Sequence, residues 1–166
     1  MNNIQKYFIA IYELFFPNVC YGCGNEIKKK KKYICAKCIA FLPKTKFHLH
    51  ANNPMELKLL GRVKIENATS FYYFNKETSA QNMVHALKYR GKYDLGIFLG
   101  KLFANHIEDA TWIKDIDCIV PVPLAKQKLN SRGYNQCESL AKGMSDIFNI
   151  PVNTLGLIKK KHTLSQ

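Results

Sequence analysis

The sequence predicts an α/β protein: a small four-cysteine ribbon, followed by a larger domain built on a parallel sheet. Three observations predict it. Four of the six cysteines form two C-x-x-C pairs in the first quarter of the chain. From residue 68 onward, β-rich apolar runs alternate with stretches of helical period, the pattern of strands joined by crossover helices. Residues 117–124, Asp-Cys-Ile-Val-Pro-Val-Pro-Leu, read as a short buried strand that runs into prolines ahead of a basic segment. We place the boundary near residue 45, giving an N-terminal helix and ribbon over 1–45 and the sheet domain over 46–166.

The 166 residues are 47% hydrophobic and 22% charged, too apolar for a disordered chain. The formal charge of +13 is the unusual feature. An excess of this size makes a positive field that attracts phosphates, in nucleic acid, nucleotides or an anionic membrane surface.

The elements follow in order. Residues 4–16 place Ile4, Phe8, Ile11 and Phe15 at spacings of three or four, an amphipathic helix. Lys6 and Glu13 interrupt the run, which is far shorter than the roughly 20 residues of a membrane span. No small-residue cleavage site follows, so we expect a cytoplasmic chain without a transmembrane segment. After the cysteines, Pro43 closes the module, and the polar stretch 44–54 reads as a linker. Residues 68–74 are aromatic and β-rich, a strand. Residues 79–89 and 95–107 have helical period, with Leu95, Leu99, Leu102 and Phe103 on one stripe. The strand 117–124 comes next, then a basic loop, a helix over 136–148, and a short strand start at 150–152.

The ribbon has the spacing C-x2-C-x11-C-x2-C through Cys20, Cys23, Cys35 and Cys38. Two thiolates two residues apart fit the turn of a zinc knuckle, and four complete a tetrahedron, so the zinc is expected to be structural. Gly22 and Gly24 flank Cys23, where a tight turn needs permissive backbone. Redox-active C-x-x-C motifs or four unrelated thiols are the alternatives, and a reducing compartment favours metal. His48 and His50 are left out because four cysteines already close the site. Cys118 and Cys137 lack paired partners and read as small core residues. The lysine run 28–32 has two readings, a solvated hairpin tip or a phosphate contact.

The segment 117–136 carries the second signal. In parallel α/β sheets ligands bind where loops leave the strands. Here that loop offers Lys126, Lys128 and Arg132, with Gly133 allowing close backbone approach and a helix N-terminus following. These are the parts of a pyrophosphate site.

Several short segments, in order along nearly the whole chain, carry a resemblance. They are Phe15-Phe16-Pro17, the stretch 38–43, Leu60-Gly61-Arg62, Leu-Lys-Tyr-Arg-Gly-Lys at 87–92 and Val-Pro-Val-Pro-Leu at 120–124. Arg-Gly-Tyr-Asn-Gln at 132–136, Leu140-Ala141 and Thr-Leu-Ser-Gln at 163–166 complete the set. Together they resemble the ComF family, phosphoribosyltransferase-like proteins with an N-terminal zinc ribbon, linked in several bacteria to competence and DNA uptake.

The resemblance implies a type I phosphoribosyltransferase-like fold, and a glycosyltransferase ancestry. It implies that the loop 121–136 holds the pyrophosphate of phosphoribosyl pyrophosphate, or of a related phosphoribosyl compound, through Arg132, Asn135 and Gln136. Lys88 and Arg90 face the same site or sit at a helix end on the surface. Mg2+ would accompany the pyrophosphate in a complete protein. The family's strand ending in two acids, followed by a Thr/Gly-rich phosphate loop, has no match in these residues. We therefore expect an incomplete, C-terminally truncated domain that is not catalytically complete, and no catalytic residue is assigned. An alternative is an accessory that binds single-stranded DNA, or joins DNA-uptake proteins, through the basic ribbon. Tyr72, Tyr73 and Phe74 would then stack on bases or form a core strand.

Overall fold

The computed structural model describes residues 17–27, 33–74, 78–89 and 91–159, with Gln5 and Phe15 besides. The expected helix over 4–16, the lysine run 28–32, Arg90 and the segment 163–166 lie outside these. The chain divides into two units, Met1–Leu42 with Phe74–Val84, and Pro43–Tyr73 with His85–Gln166.

In the first unit, a turn brings Cys20 N–H to the carbonyl of Asn25 at 2.8 Å, beside an isolated antiparallel bridge between Val19 and Glu26. Helix α1, Ala36–Ala40, starts at the second cysteine pair, with Cys35 as its N-cap. Ile34, Leu42, Ala80 and Met83 are buried in this unit, as are Cys20 and Cys38. The Asn82 side chain donates to the carbonyl of Gly22 at 2.7 Å, tying the first knuckle to helix α3, Ser79–Tyr89.

In the second unit, residues 43–45 pair with 71–73 through the bridge Lys44–Tyr72. Thr45 N–H donates to Phe71 O at 3.0 Å, and Tyr73 N–H to Pro43 O at 2.8 Å. A 3-10 turn at Phe47–Leu49 leads to helix α2, Pro54–Leu59. Its N-cap is the buried Asn53, whose carboxamide accepts from Met55 N and Glu56 N and donates to Phe47 O, His50 O and Ala68 O. The stretch 44–54 is thus folded rather than a linker: Thr45, His48 and Asn53 are all buried. Two longer helices, α4 at Tyr93–His106 and α6 at Gln136–Phe148, pack against each other. Leu95, Leu99, Ala104 and Ala141 are buried at or beside this contact.

The expected α/β domain is not found. The described residues are largely helical and contain no strand and no sheet, so the incomplete type I phosphoribosyltransferase-like domain with a parallel sheet is overturned. The run 117–124 makes one parallel bridge, Ile119 with Val152, through Ile119 N–Pro151 O at 2.8 Å and Asn153 N–Ile119 O at 2.9 Å. It stops there because Pro121 and Pro123 have no N–H to extend a ladder. The run 68–74 likewise makes only the Lys44–Tyr72 bridge, and that one is antiparallel. The basic loop is also corrected. Residues 126–132 form helix α5, Lys126–Arg132, closed by Gly133 at φ 78°. Lys, Gln, Leu and Arg are good helix formers, and a left-handed glycine is a common stop.

Candidate metal centre and the Arg132 cluster

The spacing of the cysteine pairs sets the metal centre. The first pair spans a turn and the second spans the start of helix α1, an arrangement that brings the four sulfurs together. The Sγ atoms of Cys20, Cys23, Cys35 and Cys38 all lie within 4.8 Å of one another. Cys23 and Cys35 are 3.8 Å apart. A tetrahedron of sulfurs at about 2.3 Å from a metal ion has edges of about 3.8 Å, so the residues fit such an ion.

Backbone N–H groups already point at these sulfurs. Gly22 N and Cys35 N each approach Cys20 Sγ at 3.3 Å, and Cys38 N approaches Cys35 Sγ at 3.4 Å. Burial opposes ionisation of Cys20, yet these backbone donors outweigh it and bring the thiol down to about 7. Burial, followed by the neighbouring thiols, pushes Cys38 up. A divalent ion bound here would favour the thiolate form of these sulfurs. Gly22 sits in close quarters: a Cβ there would meet Cys38 Sγ at 3.0 Å and Ser79 Cβ at 3.1 Å, so a larger residue would press on both. The four cysteines are therefore positioned to hold a metal ion.

No protein-family model, no curated protein and no solved structure matches the chain.

Of the residues assigned to pyrophosphate, the structure brings Arg132 and Gln136 together, whereas the Asn135 side chain is engaged elsewhere. Arg132 Nη1 donates to Gln136 Oε1 at 2.8 Å, and its guanidinium lies 5.4 Å from the centroid of the Tyr89 ring. Gln136 Nε2 donates to Tyr134 O at 3.3 Å. Asn135 is buried, and its side chain is fully engaged. Its Oδ1 accepts from Cys137 N, and its Nδ2 donates to Val122 O and Glu138 Oε1, all at 3.1 Å. Asn135 thus caps α6 and holds the Pro-Val-Pro turn. Lys88 is exposed in the last turn of α3, next to Tyr89.

The tyrosines around Arg132 were missed by sequence reasoning. Tyr134 Oη donates to Leu87 O at 2.5 Å, and the Tyr93 and Tyr134 rings meet edge-on at 5.5 Å. The Tyr in Arg-Gly-Tyr-Asn-Gln was the available signal. Cys118 is exposed and Cys137 half-buried, so neither is the core residue expected. His48 bonds Asp109 Oδ1 at 3.1 Å through Nε2, within a cluster that includes His106. Among the described residues no helix is long and apolar enough to cross a membrane.

Proposed function

We propose that the four cysteines hold one structural zinc ion, and that this is a ComF-like protein of phosphoribosyltransferase ancestry. It binds phosphoribosyl pyrophosphate or a related phosphoribosyl compound, and serves DNA uptake in the cytoplasm. The zinc reading rests on the sulfur geometry and the all-thiolate donor set, which suits zinc and leaves no open position.

The phosphoribosyl reading rests on the ordered sequence segments, not on a sheet. One observation supports it: Arg132 is held by Gln136 and Tyr89, so a bidentate donor is preset at modest entropic cost. Lys126 and Lys128 on α5 add positive charge nearby in sequence, Lys88 adjoins Tyr89 at the end of α3, and Mg2+ would accompany the pyrophosphate. What we propose for these residues is binding at the pyrophosphate end, the part of the compound that Arg132 and its neighbours can grip. Calorimetric titration with phosphoribosyl pyrophosphate and Mg2+ tests it. Binding that Arg132→Ala weakens at least tenfold supports the reading, and absent or unaltered binding overturns it.

A second reading, single-stranded DNA binding, draws on the +13 charge and on Tyr73 and Phe74, which are more than half exposed. It requires affinity that falls steeply with salt.

A further inference from the structure

The segment 52–66 exposes more apolar surface than its length explains. Leu57, Leu60 and Val63 are exposed at 56, 75 and 54%, and helix α2 buries none of its residues. These side chains do not point in separate directions. Leu57, Leu60, Val63 and Ile65 line one cavity of about 320 Å3. Ile65 and Glu66 are shared with a second cavity of about 470 Å3, which Trp112 and Ile116 complete. The two adjoin at Ile65 and Glu66 as a groove lined by apolar and acidic side chains, the chain's single tryptophan among them.

Its charge is opposite to that of the whole chain. The charged residues lining it are Glu56, Glu66 and Asp115 against Lys64 alone, whereas the chain has 25 basic and 12 acidic residues. Such a groove repels phosphates and suits an apolar segment that carries positive charge.

The chain itself presents a segment of that chemistry. Beyond the bridge at Val152, residues 155–159 read Leu-Gly-Leu-Ile-Lys, with Lys160 and Lys161 next in sequence. Leu155 and Ile158 are exposed at 86 and 81%, so the segment does not fill the groove of its own copy. Asn153, which accepts from Leu155 N at 3.0 Å and bonds Ile119 O through its own N–H, anchors the base of the segment.

We infer that the groove receives residues 155–161 of a second copy of this chain. Leu155, Leu157 and Ile158 enter against Leu60, Ile65 and Trp112, and the lysines meet Glu56, Glu66 and Asp115. Groove and segment are different surfaces, so the contact is head-to-tail and each copy can both give and receive.

Sedimentation velocity from low to high micromolar concentration at physiological salt tests this. Wild type should associate as concentration rises. Leu60→Asp in the groove and Ile158→Asp in the segment should each weaken association at least about tenfold, the scale of a lost interface anchor. Both positions are exposed, and circular-dichroism melting should match wild type. The deciding sample mixes the two variants. Each retains one intact surface, so together they should form a discrete dimer of about twice 19.1 kDa and grow no further. A wild type that stays monomeric overturns the inference. So does a single variant that still associates, or a mixture that yields no dimer.

Discussion

Gly100 and Gly143 face each other across helices α4 and α6 with no room for a methyl group between them. A Cβ on Gly143 would lie 2.1 Å from Ile97 O and 2.9 Å from Gly100 Cα, and one on Gly100 would lie 2.1 Å from Leu140 O. These neighbours are backbone, which cannot swing aside as a side chain could.

Gly143→Ala should therefore force the helices apart. Overpacking of this kind costs typically about 1–3 kcal/mol. Alanine is the better helix former, which offsets less than about 1 kcal/mol of that. Urea unfolding should show a lower midpoint than wild type; an equal or higher midpoint would refute the close crossing.

The metal centre makes a stoichiometric prediction. Purified protein should carry about one zinc per chain by elemental analysis, and Cys35→Ser should lose it together with the order of residues 17–27 and 33–42. Structural zinc supplies apparent free energies of about 10 kcal/mol or more, enough to decide whether so small a unit folds. A metal-free protein whose amide spectrum remains dispersed over these residues would refute the assignment.

Asn135 should behave as a structural residue whatever binds nearby. Asn135→Ala removes the cap of α6 and leaves Val122 O without its donor, at a cost of about 2 kcal/mol. Asn135→Asp keeps the capping acceptor but places a carboxylate against Glu138 and Val122 O, and should also destabilise. Thermal melting of both variants checks this, and a neutral Asn135→Ala would contradict the geometry.

The His106 cluster predicts a pH dependence. Burial first, then the neighbouring charges of His48 and Lys44, hold the His106 imidazole below its ordinary value of 6.5, despite the hydrogen bond to Thr45 O at 2.6 Å. A histidine depressed in the fold binds its proton more readily when unfolded. Its contribution is therefore intact above about pH 6.5 and declines as pH falls through and below that value. Asp109, facing His48, opposes the effect without cancelling it. Stability measured by urea titration from pH 7.5 to about 5 should fall more in wild type than in His106→Gln; parallel curves would count against it.

The legible parts of the fold are those with long local periodicity. The helices over 79–89 and 136–148 match their expected bounds, because apolar spacing and ordinary helix formers agree in both and Asn135 caps the second. Short apolar runs were not legible. Residues 68–74 and 117–124 have strand-like composition, but a strand exists only when distant partners supply hydrogen bonds, and each run finds a single bridge. The charge of the basic segment 126–132 suggests a ligand-binding loop, whereas its residues have the propensity of the helix they form. In the metal centre the four cysteines were legible from spacing alone. The crowding at Gly22 by Cys38 and Ser79 was not, because Ser79 is remote in sequence. Around Arg132 the motif residues were visible, but their mutual engagement through Gln136 and Tyr89 was not.

Asn53 has a consequence for how the second unit opens. Its side chain serves the backbone of Met55 and Glu56 on one side and of Phe47, His50 and Ala68 on the other, while Ala68 N–H is taken by Glu56 Oε1 at 3.2 Å. Breaking this knot exposes all of these groups at once. In native-state hydrogen exchange the amides of Met55, Glu56 and Ala68 should thus share one opening free energy, and residues separated by more than ten positions in the chain would exchange as a single unit.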